Sequence, residues 1–341
     1  MNKTIDQMPI DAVYTWVDGS DPLWIKKRDN AVNQNNKVSK QSVNIGRYKD
    51  NKELKYSIRS LHKFAPWIKK IFIVTDNQVP DWLKISDEKI KIVDHTEIFK
   101  GKGKLPTFNS KAIEARIHHI EGLSEHFLYF NDDVFLGKPC SKNTFFNKSG
   151  KPIYYVSQII PFPSRRFLDI SYIEASKQNE FQYGAINSRK LIYNKYRKLI
   201  SYDFRHGVKS FIKSDVFKLE KIFKPQLGNT INHNFRTNQD ILIHALYGFY
   251  GIKFKKVVPK YIPSIKPKMK SKEKILSLIS KHRYAYINLD EDDVKEYLKI
   301  IEHSRPFMFC LNQYYDTPQK ILDMMDSFLE SFFPQRSPYE K

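Results

Sequence analysis

The chain has 341 residues, of which 41% are hydrophobic and 14% aromatic, and this content excludes wholesale disorder. It carries 58 Lys and Arg residues against 37 Asp and Glu residues, which gives a formal net charge of +21. Such a surface attracts polyanions, a class that includes nucleic acid, anionic lipid and phosphorylated sugars. The charge does not choose among these partners, and a solvated basic face without any of them explains it equally well.

The number of cysteines and the lengths of the apolar runs indicate the cellular compartment of the protein. Cys140 and Cys310 are too few for a disulfide framework, and neither lies in a metal-type pair. Residues 1–16 contain no apolar core of signal-peptide length, and no run approaches the roughly 18 apolar residues of a spanning helix. We therefore expect a cytoplasmic protein. Its lysine-rich segment, residues 260–274, suits peripheral attachment to the inner face of the cell membrane.

Short apolar runs at residues 10–17, 71–74 and 90–93 predict three buried strands. A helix is predicted between the first two, with Asp50 as its N-cap and Glu53 three residues later. This alternation of strand and helix favours a parallel α/β sheet. The first run ends in DGSDP, residues 18–22, which suits a nucleotide-binding loop and equally an ordinary turn.

A further helix is predicted over residues 111–120. Glu114 and His118 lie one turn apart on it and so share a face. The spacing alone favours an exposed pair over metal ligation.

The stretch FLYFNDDVFLG, residues 127–137, places three polar residues inside a buried segment. An apolar strand runs into Asn131, Asp132 and Asp133, and an apolar run resumes at once at residues 134–136. Buried carboxylates are normally paired or bound to metal. At the carboxyl end of a strand they suit a hard divalent cation that also contacts phosphate oxygens. An Asp-rich turn is the alternative.

The pattern loosens beyond Pro139. It predicts strands at residues 154–160 and 253–258, one or two helices within 173–197, and further helices at 209–223, 291–301 and 320–332. The polar cluster 232–240 precedes an apolar helix that ends at Tyr250. We expect a catalytic α/β domain at residues 1–265 and a helical extension, residues 266–341, that packs on it.

Four stretches resemble the Stealth family of sugar-phosphate transferases. This family includes bacterial capsular polysaccharide phosphotransferases and is related to the catalytic subunit of lysosomal-enzyme N-acetylglucosamine-1-phosphotransferase. The stretches are IDAVYTWVDGSDP at residues 10–22, the long segment 53–137, the pair FRHGVKSF and HNFRTNQD at 204–211 and 233–240, and FCLN at 309–312. They come in family order.

The resemblance implies a nucleotide-sugar transferase-like fold of the GT-A or Rossmann-like kind, with a mainly parallel sheet and helical additions in the C-terminal half. The donor and metal sites would lie within residues 10–140, and further catalytic elements within 200–260. The implied reaction transfers a sugar 1-phosphate from a UDP-linked sugar to a hydroxyl of a growing capsular polysaccharide, with release of nucleoside monophosphate.

The resemblance also implies residue roles. Asp132 and Asp133 match the acidic pair and would hold Mg²⁺ or Mn²⁺, and Asp133 is counted among the catalytic residues. His206 matches the family histidine and, with an ordinary pKa of about 6.5, would accept the acceptor's proton. Arg236 would neutralise phosphate oxygens. The expected donor-binding residues are Trp16, Asp18, Gly19, Arg59, Asn109 and Glu114.

Asp18 stands where the lysosomal relative has asparagine, so a carboxylate is not required there. An ordinary glycosyltransferase that releases nucleoside diphosphate is the second hypothesis, because similar folds with paired acids serve both chemistries. A nucleic-acid-binding protein is the third, but no nucleic-acid module is present and we expect no such partner. The expected partners are a nucleotide-sugar donor, a polysaccharide acceptor, and an anionic membrane or other capsule-synthesis proteins.

Overall fold

The computed structural model describes residues 4–34, 38–39, 42–157, 164–173, 179–267, 269, 280, 282–313 and 317–341. Its strands are β1 (Ile10–Thr15), β2 (Ile71–Thr75), β3 (Ile90–Asp94), β4 (His126–Asn131), β5 (Val134–Leu136), β6 (Ile153–Val156), β7 (Lys209–Ile212), β8 (Val258–Tyr261), β9 (Tyr284–Asn288) and β10 (Met308–Asn312).

The α-helices within the same ranges are α1 (Pro22–Asn33), α2 (Glu53–Phe64), α3 (His95–Phe99), α4 (Ser110–Glu114), α5 (Lys142–Phe145), α6 (Glu180–Tyr196), α7 (Lys213–Ile222), α8 (Lys224–Ile231), α9 (Ile243–Lys253), α10 (Val294–Ser304) and α11 (Gln319–Phe332). No helix of the described part combines the length and apolar character needed to cross a membrane.

The central sheet has the strand order β3-β2-β1-β4-β7. The first four strands run parallel, and β7 pairs antiparallel with β4 at one edge. Alternate side chains of β1 and β2 enter two separate apolar cores, so these strands are buried on both faces. The predicted α/β class with a mainly parallel sheet is therefore confirmed.

The chain order places a crevice at one end of this sheet. From β1 the chain moves outward through β2 to β3 and then returns to β4 on the other side of β1. In open α/β sheets such a reversal leaves a ligand crevice at the carboxyl ends of the strands. Trp16 follows β1 there, and Asp132 follows β4.

A second sheet lies beyond the acidic pair. Its order is β5-β10-β9, with β10 antiparallel to β5 and parallel to β9. Because β4 and β5 are separated by Asp132 and Asp133 alone, these acids lie where the chain passes from one sheet into the other. The predicted extension, residues 266–341, thus contributes strands as well as helices, and its boundary stays a prediction.

Several predicted elements differ from the structure. The helix expected at residues 209–223 begins as β7, because pairing with the open edge of β4 overrides the helical pattern. The N-cap of α2 is Lys52, with a left-handed φ of 68°, and Asp50 accepts the Lys52 N–H instead. The strand expected at 253–258 starts at Val258, because α9 continues to Lys253.

Candidate active site

A cavity of about 590 Å³ opens at the carboxyl end of β4, and we call it the large cavity. A second cavity of about 120 Å³, the small cavity, lies beside the ends of β1 and β2. Both are lined by Arg47, Ser110, Asn131, Asp132 and Arg236, so they adjoin. Of the predicted site residues, the large cavity brings together Glu114, Asp132, Asp133, His206 and Arg236, and the small cavity adds Trp16.

Asp132 and Asp133 form no salt bridge with any residue that the structure describes. Burial raises the pKa of Asp132 well above its usual range, and the neighbouring charges of Asp133 and Glu53 raise it further. Burial also raises the pKa of Asp133 to about 6 and that of Glu53 to about 7. Three carboxyl groups therefore face one cavity in an environment that disfavours their negative charge.

The geometry of Asp133 fits a divalent cation. Its Oδ2 accepts a hydrogen bond from Cys310 Sγ at 3.2 Å, whereas its buried Oδ1 has no hydrogen-bond partner among the described residues. Ligand atoms of Asp133, His206 and Cys310 lie within 4.8 Å of one another. Burial raises the pKa of the Cys310 thiol, which keeps it protonated, so a hard cation here would be held by carboxylate oxygens rather than by this sulfur.

His206 differs electrostatically from the prediction. Its pKa is lowered to about 3, first by burial and then by the positive charges of Lys209, His244 and Arg236. The imidazole is therefore neutral at physiological pH rather than half-titrated, which contradicts the expected ordinary pKa. The rings of Phe181 and Tyr286 stand nearly perpendicular to it, with centroids at 6.0 and 5.9 Å.

Two guanidinium groups, those of Arg236 and Arg47, line both cavities. Arg236 Nη2 donates to Ser110 Oγ at 2.7 Å, and Arg236 has no salt-bridge partner within the described ranges. Arg47 Nη2 donates to Glu180 Oε2 at 3.3 Å. Both cations border both cavities, so they are placed to contact one anionic group at the junction. Sequence reasoning missed Arg47, which lies in a polar loop without a local signal.

Glu114 and His118 do not form the exposed pair that was predicted. Both side chains are buried. The helix ends at Glu114, so the two side chains do not share a helix face, and each has its own partner. Glu114 Oε2 accepts from His244 Nδ1 at 3.1 Å at the wall of the large cavity, while His118 bonds Glu220 at 3.0 Å elsewhere. The signal for His244 was a histidine inside the apolar run ILIHALYGF, where burial without a partner would be costly.

Asn109 supports the site from behind and lines neither cavity. Its side chain caps α4 by accepting the Lys111 N–H at 3.1 Å, and its Nδ2 donates to Asp240 Oδ2 at 2.9 Å. Asp240 also accepts from His233 Nδ1 at 2.7 Å and from the Thr237 N–H at 2.8 Å. Because these bonds close the 233–240 loop on the start of α4, they fix the position of Arg236.

The predicted loop after β1 contributes through packing. Trp16 is buried at the wall of the small cavity. Asp18 Oδ1 accepts from Ser20 N and Oγ at 2.8 and 2.6 Å, which makes it a turn residue outside both cavities. A Cβ on Gly19 would lie 2.4 Å from the Tyr48 carbonyl oxygen, so glycine permits the close approach of Tyr48, another wall of the small cavity.

Arg59 is not brought to the site. Its guanidinium donates to both carboxylate oxygens of Glu340 at 2.9 and 2.8 Å, and to Glu330 and the Phe333 carbonyl. These bonds engage it away from both cavities, so it cannot take the predicted phosphate contact. In the lysine-rich segment 260–274, Lys266 lines the large cavity, while Lys268 and residues 270–274 lie outside the described residues. Membrane attachment stays a prediction.

Comparisons with known proteins agree across most of the chain. Models of Stealth protein conserved regions 1, 2 and 4 match residues 8–36, 47–154 and 299–341. An exopolysaccharide phosphotransferase of Streptomyces coelicolor is 34% identical over 98% of this chain and 57% of that protein. A capsular polysaccharide phosphotransferase of Haemophilus influenzae is 33% identical over 89% of this chain and 78% of that protein.

This chain spans 52–57% of the length of three such Streptomyces relatives. Among solved structures, the galactosyltransferase LgtC, in complex with donor and acceptor sugar analogs, shares 12% identity over 94% of this chain and 95% of its own, with a TM-score of 0.42. The bifunctional glycosyltransferase WbbM shares 10% identity over 97% of this chain and 50% of its own, with a TM-score of 0.44.

Proposed function

The chain belongs to the Stealth family, and from that premise we propose that it transfers a sugar 1-phosphate from a nucleotide sugar, UDP-linked, to a hydroxyl of a growing capsular polysaccharide. The observation that carries the proposal is that one cavity is lined both by an acidic pair and by a partly buried arginine, none of which has a salt-bridge partner among the described residues. Asp132 and Asp133 lie at the junction of two sheets, and Arg236 faces the same space. A diphosphate together with a divalent cation would complement both groups.

The donor fits the two cavities as one molecule. The small cavity, walled by Trp16, Trp24 and Tyr48, suits the flat base of the nucleotide. The diphosphate then lies at the junction, where Arg47 and Arg236 border both spaces. The sugar extends into the large cavity. Asn109 and Gly19 would affect donor binding indirectly, through the positions of Arg236 and Tyr48. Asp18 and Arg59 are not among the residues that we propose to bind the donor.

Asp133 and Asp132 would hold Mg²⁺ or Mn²⁺, with His206 close to the same position. When bound, such a cation neutralises diphosphate oxygens and the charge that develops on the leaving group. Arg236 supplies a second, fixed positive charge by forked hydrogen bonds to the transferred phosphoryl group. The acids themselves orient the donor and do not need to titrate during the reaction.

In the reaction, the acceptor hydroxyl oxygen attacks the phosphorus atom that carries the sugar. A new phosphorus–oxygen bond forms, and the bond from this phosphorus to the bridging oxygen breaks, so nucleoside monophosphate leaves. The anomeric carbon–oxygen bond stays intact. Burial lowers the pKa of His206 to about 3, which makes the free imidazole a weak base. The negative diphosphate of a bound donor would raise this pKa and so allow His206 to accept the hydroxyl proton.

Identification of the released nucleotide tests this function. The purified protein is incubated with UDP-sugars, capsule oligosaccharide and Mg²⁺ or Mn²⁺, and the products are separated by ion-exchange chromatography. Phosphotransfer releases UMP and adds a phosphodiester to the acceptor. Release of UDP would instead establish glycosyl transfer. Asp133→Asn should abolish turnover, while the exposed Asp292→Asn, which removes the same charge, should not.

A further inference from the structure

A cluster of aromatic and basic side chains lies where α6 and α9 end. Both helices begin at the wall of the large cavity, with Phe181 and His244 in their first turns, and they pack against each other. At a rise of 1.5 Å per residue, the 17 residues of α6 place its last turn about 25 Å from its first. We call residues 195–198 and 250–256 the end patch, and none of them lines either cavity.

Three aromatic rings of the end patch contact one another. The ring centroid of Phe254 lies 4.6 Å from that of Tyr250 and 5.1 Å from that of Tyr196. The two tyrosines are partly buried and pack against an apolar core, whereas Phe254 is 41% exposed. A single exposed ring is common on protein surfaces and requires no partner by itself. Its meaning depends on the charges that surround it.

The charged residues of the end patch are all positive. It contains six cations and no acid: Lys195, Arg197, Lys198, Lys253, Lys255 and Lys256. Lys256 Nζ lies 2.5 Å from the Asp215 carboxylate, but no salt bridge to a described residue engages the other five. Lys253 Nζ lies 5.6 Å from the Phe254 ring centroid. Lys151 Nζ donates to the Lys255 carbonyl at 3.0 Å and adds a further positive charge. The exposed ring is therefore surrounded by positive charge.

Helix stability explains only part of this charge. Cations in the last turn of a helix offset the negative end of its macrodipole, which accounts for Lys195 and Lys253. Lys198 and Lys255 lie beyond the helix ends and are exposed. Stabilisation of the helix ends also does not require an exposed ring at Phe254. A partner that combines negative charge with an apolar layer would use both features of the end patch.

We propose that the end patch binds the surface of an anionic phospholipid membrane, an interaction that goes beyond the proposed function and does not depend on it. Lysine and arginine are attracted to anionic headgroups, and aromatic rings settle at the boundary between headgroups and acyl chains. A soluble polyanion, such as the capsule chain, would engage the cations but offers no apolar layer for Phe254. Because the end patch lies at the opposite end of α6 from the large cavity, docking there leaves the cavity lining uncovered.

Sedimentation of the full-length protein with phosphatidylglycerol vesicles tests the charged part of the end patch, and phosphatidylcholine vesicles provide the uncharged comparison. The triple variant Lys195→Gln/Lys198→Gln/Lys255→Gln should bind phosphatidylglycerol about 100-fold more weakly, because each lysine contributes about 5-fold. The matched control is Lys295→Gln/Lys299→Gln/Lys320→Gln, which removes three exposed charges from α10 and α11. Its vesicle affinity should stay within about 3-fold of the parent, because distant charges are screened.

The ring is tested with Phe254→Ala, which should bind phosphatidylglycerol vesicles about 3- to 10-fold more weakly because it loses buried apolar area at the membrane. Tyr172→Ala is the control, since Tyr172 is 70% exposed and lies outside both the end patch and the cavities. It should bind as the parent does. All four variants should keep the parental Tm and UMP affinity, which shows that the fold and the cavities are intact.

Three results would overturn the proposal. The first is absence of parental binding to phosphatidylglycerol vesicles at a salt concentration of about 0.05 M, where screening is weak. The second is an equal loss of binding in the two triple variants, which would assign the attraction to net charge rather than to the end patch. The third is parental vesicle binding by Phe254→Ala, which would leave only a basic surface for any polyanion. Because these measurements involve no turnover, failure of the proposed function would not affect their outcome.

Discussion

Replacing Asp133 by asparagine should stabilise the protein in the absence of divalent cation and remove the stabilisation that the cation gives to the parent. In the parent, burial raises the pKa of Asp133 from 3.8 to about 6, so ionised Asp133 costs the folded state about 3 kcal/mol above that pH. Asparagine removes this cost, and its amide oxygen can still accept the Cys310 hydrogen bond. Without cation, Asp133→Asn should therefore be the more stable protein.

The size of the shift follows from chain length. An unfolding entropy of about 2 cal/mol/K per residue over 341 residues converts about 3 kcal/mol into a Tm increase of roughly 4 °C. Added cation should reduce this difference in stability between the variant and the parent. At a concentration 100 times the Kd, binding should stabilise the parent by about 2.7 kcal/mol and leave the variant unchanged.

Differential scanning fluorimetry at pH 7.5, in EDTA and in a Mg²⁺ or Mn²⁺ series, measures both effects without any substrate. Asp292→Asn is the control, because Asp292 is exposed and its replacement changes net charge equally. Two results would refute the hypothesis that ionised Asp133 destabilises the folded protein and binds a divalent cation. The first is a variant less stable than the parent in EDTA, and the second is a variant that keeps the parent's cation-dependent increase in Tm.

His206→Ala should lower kcat about 10²- to 10⁴-fold with UMP affinity little changed, whereas exposed His303→Ala should alter neither value in steady-state and calorimetric measurements. Arg236→Gln should weaken UMP binding as well as kcat, because the phosphate is charged before reaction begins; equal UMP affinity would place Arg236 outside the donor site. Burial lowers the pKa of His118 to about 4, so the unfolded state binds the extra proton between pH 6.5 and 4. As the pH falls over this interval, the free energy of unfolding of the parent, measured with urea, should decrease by about 3 kcal/mol. An equal decrease in His118→Gln would show that His118 is not its cause.

Local pattern was sufficient for the central part of the site. The apolar runs of β1, β2 and β4 are buried on two faces, so their own residues predict a buried strand. The acids between β4 and β5 were recognisable because charge interrupts an apolar stretch. Both features depend on neighbours in sequence.

Features that depend on distant partners were not predictable. Arg59 lies on the predicted helix, but its partner Glu340 is 281 residues away, and nothing near Arg59 distinguishes an ion pair from a phosphate contact. Residues 209–212 become a strand because β4 offers a free edge. The pKa of His206 likewise depends on Lys209 and Arg236, which the fold assembles around it. In each case tertiary contacts decide among locally equivalent outcomes.

The pairing of β5 with β10 makes the acidic pair dependent on a late stage of folding. Leu311 N–H donates to the Asp133 carbonyl at 3.1 Å, and Cys310, 177 residues after Asp133, bonds its carboxylate. Contacts of such sequence separation form slowly because a long loop must close first. During synthesis the ribosome must therefore release β10 before Asp133 gains these contacts, and a nascent chain that has made only the central sheet should lack the proposed cation site.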